Sequence, residues 1–198
     1  IWALVDVERP RLEPWMPWTE GTRTIDDQRQ WLESVVHDER TLDGCGIFVD
    51  GRYVGGVGLR WDPFDVRGEI GYWIAAAYEG RGLVSRAVRA LVEVGFRDLG
   101  LHRIEIRAGV GNTRSRAIPE RLGFVRFAVA EEGPDLGIGC RLEAAVFEIT
   151  CEARLINRLN GPEPHRHGRV LPEFRHQPGM GIGRKAAAWI QLVTEIHQ

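Results

Sequence analysis

Residues 68–110 hold two strand-like runs on either side of a helical one, and that arrangement constrains the fold more than anything else in the chain. GEIGYWIAA (68–76) and HRIEIRAGV (102–110) have the β-branched and aromatic content of strands. In the second, Arg103, Glu105 and Arg107 alternate with Ile104 and Ile106, which predicts a strand with one dry face. Between the two runs, Arg86, Arg89, Glu93 and Arg97 form a single polar stripe, opposite Leu83, Ala87, Leu91 and Val94. That period predicts a helix over 82–98, with Gly100 as its stop and an Arg89–Glu93 pair on its wet side. A strand that returns to its sheet through a helix lies parallel to the strand it left.

The rest of the chain surrounds this unit with antiparallel signals. GIFVD (46–50) and YVGGVGLRW (53–61), joined through an Asp-Gly turn, read as a hairpin. FVRFAVAEE (124–132) and RLEAAVFEIT (141–150) read as two further strands. NTRSRAIPERLG (112–123) is a short helix with Asn112 as N-cap and Gly123 as stop. Upstream, residues 1–13 form a helix with Trp2, Leu4 and Val5 on its apolar side, broken or kinked at Pro10. PWMPW (14–18) is a stiff aromatic loop. A helix follows over 24–40, capped by Thr24, with Asp26 and Asp27 in its first turn and Trp31, Leu32, Val35 and Val36 as its buried side. The fold class is mixed α/β.

From about residue 157 the chain turns rich in Pro, Gly and His and loses its period, ending in a short helical run over 185–197. The expected organisation is one domain over 1–156 and a tail over 157–198. Because residue 1 is Ile1 and no leader-like segment opens the chain, the expectation is an N-terminally truncated fragment. A formal net charge of -2 does not favour nucleic acid or a membrane surface as partner, and no apolar run approaches a bilayer span. Three cysteines, Cys45, Cys140 and Cys151, without CxxC spacing favour a reducing, cytoplasmic setting. Cys45 and Cys140 lack a His/Asn setting for nucleophilic work, and His165 and His167 lack the companions a metal site needs.

The turn between the first strand and its helix is YEGRGLVSRAV (78–88). Gly80 and Gly82 strip side chains from a helix start, where unpaired N–H groups and a partial positive charge suit a phosphate. Arg81 and Arg86 stand ready for charge-assisted contacts. Such turns also occur with nothing bound. The Walker Lys-Ser/Thr pair is absent, and so is the three-glycine dinucleotide fingerprint.

EIGYWIAAAYEGRGL, followed by a helix and then by HRIEIRAGVGNTRSRAIPERLGF, resembles the GNAT acyltransferase superfamily, and with RPRLEPWMPW it is similar to the RimJ/RimL-type branch that acetylates protein N-terminal amines. The resemblance runs over about residues 1–152. It implies a mostly antiparallel sheet with a central splayed parallel pair, and acetyl-CoA as cosubstrate with no metal. It also implies that an edge strand ahead of the first helix is missing, an edge then open to pairing in a homodimer or to cover by the tail.

Residue by residue, the resemblance implies that Glu79, Gly80, Arg81, Gly82, Leu83 and Val84 cradle the pyrophosphate, with Ala77 standing where the family has Gln or Arg. Backbone groups of Tyr72, Trp73 and Ile74 line the pantetheine, and Asn112 bonds it or caps its helix.

Acetyl transfer to an amine needs a proton acceptor, donors for the oxyanion and a donor for the leaving thiolate. Glu69 shares a strand face with Gly71 and Trp73 and is the candidate base; it also fits a plain ion pair with Arg60 or Arg67. Phe127 stands where some relatives carry a Glu, leaving Glu131 and Glu132 as weaker candidates. Pro119 stands where many members carry an acid Tyr, and Ser115 matches the N-x-x-S serine of the RimL-like branch. A serine bonded back to its own helix is the alternative. The oxyanion donor is expected near Trp73 or Ile74. Two acceptors remain open, a protein N-terminus and a small amine such as a polyamine or antibiotic. A non-catalytic acyl-CoA-binding module is the third possibility.

Overall fold

The computed structural model describes residues 1–38, 40–42, 44–62, 64–130 and 144–151. The tail over 157–198 with its helix, Glu131, Glu132, Cys140, His165 and His167 lie outside the described residues. The elements run α1 (Trp2–Leu12), α2 (Ile25–His37), β1 (Cys45–Val49), β2 (Arg52–Asp62), β3 (Arg67–Ile74), α3 (Leu83–Arg97), β4 (Arg103–Gly109), α4 (Thr113–Arg121), β5 (Val125–Ala130) and β6 (Ala144–Thr150). Short 3₁₀ turns lie at Pro17–Thr19 and Ala76–Tyr78. The second of these ends β3 at Ile74, two residues before the sequence-based boundary.

The sheet has the order β1-β2-β3-β4-β6-β5. Every neighbouring pair is antiparallel except β3 and β4. That parallel pair is short. Arg67–Glu69 register with Arg103–Glu105, and beyond Glu69 the two strands part although β3 runs on to Ile74 and β4 to Gly109. The hairpin between β1 and β2 turns through Asp50 and Gly51, both at positive φ (49° and 73°), as a tight turn matched to strand twist requires.

One face of the sheet carries the core. Leu59, Ile70, Ile104, Ile106, Phe147 and Ile149 are each at most 2% exposed and form one cluster with Ala87, Val88, Leu91 and Val94 of α3. Gly95 sets the distance between helix and sheet: a Cβ there would lie 2.6 Å from the Ile104 side chain. The helix keeps its polar stripe outward, but the ion pair on it is Glu93–Arg97 (2.6 Å) rather than Arg89–Glu93. A Glu four residues ahead of its basic partner follows the dipole, whereas the reverse order opposes it.

Two expectations about burial change, and one about a helix end. Val35 is buried as expected, but Trp31 and Val36 are exposed (38% and 57%), and α2 buries Gln28 as well. Glu105 sits on the face of β4 expected to be wet and is 3% exposed, closed over by Arg67, Arg103 and Arg107. Pro10 does not end α1, which runs on to Leu12. Only the last turn follows Pro10, so the missing N–H removes little of the ladder. Thr24 caps α2 as expected, in a reciprocal box with Asp27.

Candidate functional site

The parting of β3 from β4 leaves backbone groups facing a gap, and the ladder shows which ones. Ala75 N–H donates to the Val54 carbonyl (2.8 Å), so Ala75 and every second residue before it, Trp73 included, turn their peptide groups toward β2. The peptide groups of Tyr72 and Ile74 therefore face the gap. The expectation that Trp73 contributes backbone there is corrected: its carbonyl lies 2.4 Å from where a Cβ on Gly55 of β2 would be. The Ile74 carbonyl accepts from the guanidinium of Arg11, reaching over from α1.

A groove of about 1000 Å³ runs through this gap. Tyr72, Trp73 and Ile74 line it on the β3 side, Asn112–Ser115 on the α4 side, and Glu79–Ser85 at one end. At that end Gly82 caps α3 with φ +71°, and no side chain caps the helix. The amides of Leu83, Val84 and Ser85 head the helix without intrahelical partners, since the first ladder bond runs from Arg86 to Gly82 (3.1 Å). Gly80 also has positive φ (+74°), with nothing within 4 Å of a would-be Cβ. A bare, positively polarised helix end with open space before it fits a phosphate group.

The arginines do not crowd this cradle. Arg81 folds back to the Ala77 carbonyl (3.0 Å) and over the Tyr78 ring (4.9 Å), beside the residue where the family pattern has Gln or Arg. Arg86 is exposed. Glu79 contributes no cap. Its carboxylate bridges Arg11 (2.8 Å) and Arg114 (2.6 Å), tying α1 to α4 across the groove, and Arg11 also holds Glu8 (2.7 Å).

Asn112 and Ser115 lie together on the α4 wall. The Asn112 side chain accepts from the Ser115 N–H (3.1 Å) as the helix cap. The Ser115 hydroxyl does not bond back to a helix carbonyl. It donates to the Tyr72 hydroxyl (3.3 Å), and Tyr72 in turn donates to the Ser115 backbone carbonyl (3.0 Å). The cause is in α4 itself. The helical partner of the Ser115 carbonyl is residue 119, which is Pro119 and has no N–H. Tyr72 supplies the missing donor from the sheet. Burial pushes its phenol up to about 12, with the Ser115 hydrogen bond working against that rise. The Tyr72 hydroxyl was not legible as a site group, because its partner is set by a proline 47 positions downstream.

Glu69 is placed elsewhere. It is 6% exposed, directly opposite Arg60 on β2 and Glu105 on β4. Its closest ion-pair contact is Arg107 (3.4 Å), rather than Arg60 or Arg67. Arg107 also reaches Glu105 (3.7 Å), which Arg103 holds at 3.2 Å. Burial raises the Glu69 pKa above the usual carboxylate range, Glu105 adds to this, and Arg107, Arg67 and Arg60 oppose it. Glu69 lines neither the groove nor the cavity beside it. The nearest residue on its strand face that does so is Gly71, one two-residue repeat away. Phe127 lies exposed on β5.

That second cavity, of about 100 Å³, adjoins the groove at Met16, Tyr72 and Trp73, which line both. Its walls are aromatic: Trp18 from the first 3₁₀ turn, Trp31 from α2, Tyr53 and Trp73 from the sheet. Trp73 packs against Trp18 (centroids 6.3 Å) and Tyr53 (5.9 Å). Its floor is Gly56, Gly58 and Gly71. Bare positions are required there, since a Cβ on Gly56 would lie 2.8 Å from the Trp73 indole nitrogen. Among the described residues no Asp or Glu lines it, and Arg60 is the one charged side chain among those that line it. No group of three His, Cys, Asp or Glu among the described residues is placed to hold a metal. No helix among them is long and apolar enough to cross a membrane.

Residues 3–125 match the family described as an acetyltransferase (GNAT) domain. YdaF of Bacillus subtilis, a proposed ribosomal N-acetyltransferase, is 36% identical over 137 residues, 66% of this chain and 73% of that protein. A ribosomal-protein-serine acetyltransferase of Escherichia coli is 24% identical over 128 residues, 63% of this chain and 72% of its own. Mycobacterium smegmatis RimJ, solved in complex with CoA-disulfide, superposes with a TM-score of 0.65 at 23% identity over 76% of this chain and 75% of that one.

Proposed function

The chain belongs to the GNAT acetyltransferase family, in its RimJ/RimL-like branch, and from that premise we propose that it moves the acetyl group of acetyl-CoA to a protein N-terminal amine by direct attack on the thioester. Acetyl-CoA supplies the activated acyl group and a thiolate leaving group. The observation that carries the proposal is the meeting of two spaces at Tyr72 and Trp73. One is a groove headed by bare helix amides, and the other is an aromatic cavity with no carboxylate among the described residues that line it.

The chain's own groups divide the work as follows. The amides of Leu83, Val84 and Ser85 hold the pyrophosphate, and the positive φ of Gly80 and Gly82 shapes the turn that exposes them. The gap-facing peptide groups of Tyr72 and Ile74 line the pantetheine arm, and the Asn112 side chain stands at the opposite wall. The amide of Tyr72 or Ile74 is the donor to the thioester oxygen as negative charge grows there; the amide of Trp73 is committed to β2.

Ser115 faces the leaving sulfur. An ordinary thiol has a pKa of about 8.5, far below that of an alcohol, so Ser115 stabilises the thiolate with a hydrogen bond rather than giving up its proton outright. In the free chain its one proton rests on the Tyr72 oxygen, and it turns to the sulfur as charge develops there. Glu69 receives the amine's proton through solvent in the cavity above Gly71, its raised pKa making it a better acceptor than an exposed carboxylate.

The protein acceptor is favoured over a polyamine because a polycation needs carboxylates, and among the described residues none lines the cavity. The names of YdaF and of the Escherichia coli relative also support a protein acceptor. The test is turnover of acetyl-CoA with a set of N-terminal peptides and with spermidine, following thiol release and the mass of each product. Acetylation of peptide α-amines is the expected result. Transfer to spermidine alone, or to no amine at all, contradicts the proposal.

A further inference from the structure

Gln28 is the residue that the account so far leaves without work. It lies in the second turn of α2, is 6% exposed, and lines the aromatic cavity. Its carboxamide makes no hydrogen bond to any described residue. A primary amide has two donors and a doubly accepting oxygen, and in Gln28 these atoms stay open to the cavity. The other uncharged polar side chain at the same end, Thr22, already donates its hydroxyl to the Trp18 carbonyl (3.2 Å). The cavity thus presents one unfilled amide among aromatic rings, next to the place where the acceptor amine must arrive.

We propose that this cavity seats the first residue of the acceptor, with an apolar side chain between Trp18, Trp31 and Trp73 and its peptide group hydrogen-bonded by Gln28. The inference rests on the N-terminal amine reading above and adds the acceptor's side-chain class to it. Three features select that class. The walls are rings and the floor is glycine, so an incoming side chain meets apolar surface. A cavity of about 100 Å³ takes one medium side chain; apolar cavities of about 150 Å³ hold a benzene. Among the described residues the lining offers no carboxylate to pair with a lysine or arginine at that position. A small polar first residue leaves the rings in contact with water.

The experiment uses the full chain and peptides identical except for the first residue, taken as Met, Leu, Ser, Gly, Lys or Glu. Met and Leu are expected to exceed Gly and Lys by about tenfold or more in kcat/KM, the discrimination that one or two buried methylenes give. Gln28→Met is expected to raise the KM for the Met-first peptide about tenfold with kcat unchanged, the loss of one neutral hydrogen bond. Its Tm is not expected to fall, because the carboxamide has no partner to lose in the free chain. A merely structural Gln28 lowers Tm instead.

Peptide binding is read separately, by tryptophan fluorescence in the presence of coenzyme A. Transfer without side-chain preference, or Gln28→Met kinetics matching the parent, overturns the inference and leaves the proposed function standing. Selective binding of Met- and Leu-first peptides without transfer upholds the inference and sinks the catalytic reading. Neither binding nor transfer overturns both.

Discussion

Tyr72→Phe removes a single oxygen, and the structure says what depends on it. The phenol donates to the Ser115 carbonyl at 3.0 Å and accepts from the Ser115 hydroxyl at 3.3 Å. The first bond replaces the N–H that Pro119 cannot offer, so its loss leaves a part-buried carbonyl unmatched, at about 1–3 kcal/mol. The second is long and adds less. The expected total is about 2 kcal/mol, read as a fall in the urea midpoint with an unchanged slope. Pro119→Ala returns an amide to residue 119 and gives the carbonyl a helical partner. In that background the same Tyr72→Phe change should cost under half as much, a coupling measurable as a double-mutant cycle. Equal losses in the two backgrounds would refute the claim that the tyrosine stands in for the proline's missing donor. In acetyl transfer, Tyr72→Phe should lower kcat more than it changes KM, since the Ser115 carbonyl left unmatched loosens the turn of α4 that carries the hydroxyl.

Gly82→Ala places a methyl group at φ +71° with only the Arg86 guanidinium near it, at 4.0 Å. Strain of about 1–2 kcal/mol is expected without a clash, together with weaker coenzyme binding by calorimetry. Gly100→Ala, with φ +65° and open space beyond the other end of α3, carries the same strain and should leave binding unchanged; equal effects on binding would contradict the phosphate cradle. For Glu69 the sign follows from a raised folded-state pKa: the folded chain holds the proton more tightly than the unfolded one, so ionising Glu69 costs stability. As pH rises from the ordinary value of 4.5 through the folded-state value, the parent should lose stability that Glu69→Gln keeps. Parallel curves of Tm against pH would contradict this, and an unchanged kcat in Glu69→Gln would remove Glu69 from the proton path.

The order of helices and strands was legible in the chain because each element carries its own period. The stripe from Arg86 to Arg97 and the alternation around Ile104 hold without reference to anything distant. The Gly80–Gly82 turn was legible for the same reason, since its two left-handed glycines need only local backbone. What failed depended on partners far along the chain. Glu105 looks wet until three arginines from two strands close over it. Trp31 looks like core, yet it is 38% exposed beside the cavity, and Gln28 is the α2 residue buried next to it. Trp73 and Ile74 look equivalent until the register with β2 assigns one peptide group to the ladder and the next to the gap. Ser115 was singled out by resemblance, whereas the phenol that accepts from it required the sheet and α4 to be seen together.

The central claim is that the gap between β3 and β4, headed by the bare start of α3, receives the coenzyme. Hydrogen exchange with and without coenzyme A tests it most directly. The amides of Leu83, Val84 and Ser85 have no helical acceptor, and those of Tyr72 and Ile74 face the gap, so all should exchange readily in the free chain. The account predicts that coenzyme A slows exchange at these positions and at Asn112–Ser115, and leaves β1 and β5 unchanged. Binding that protects other segments while these amides exchange at their free rates would contradict it.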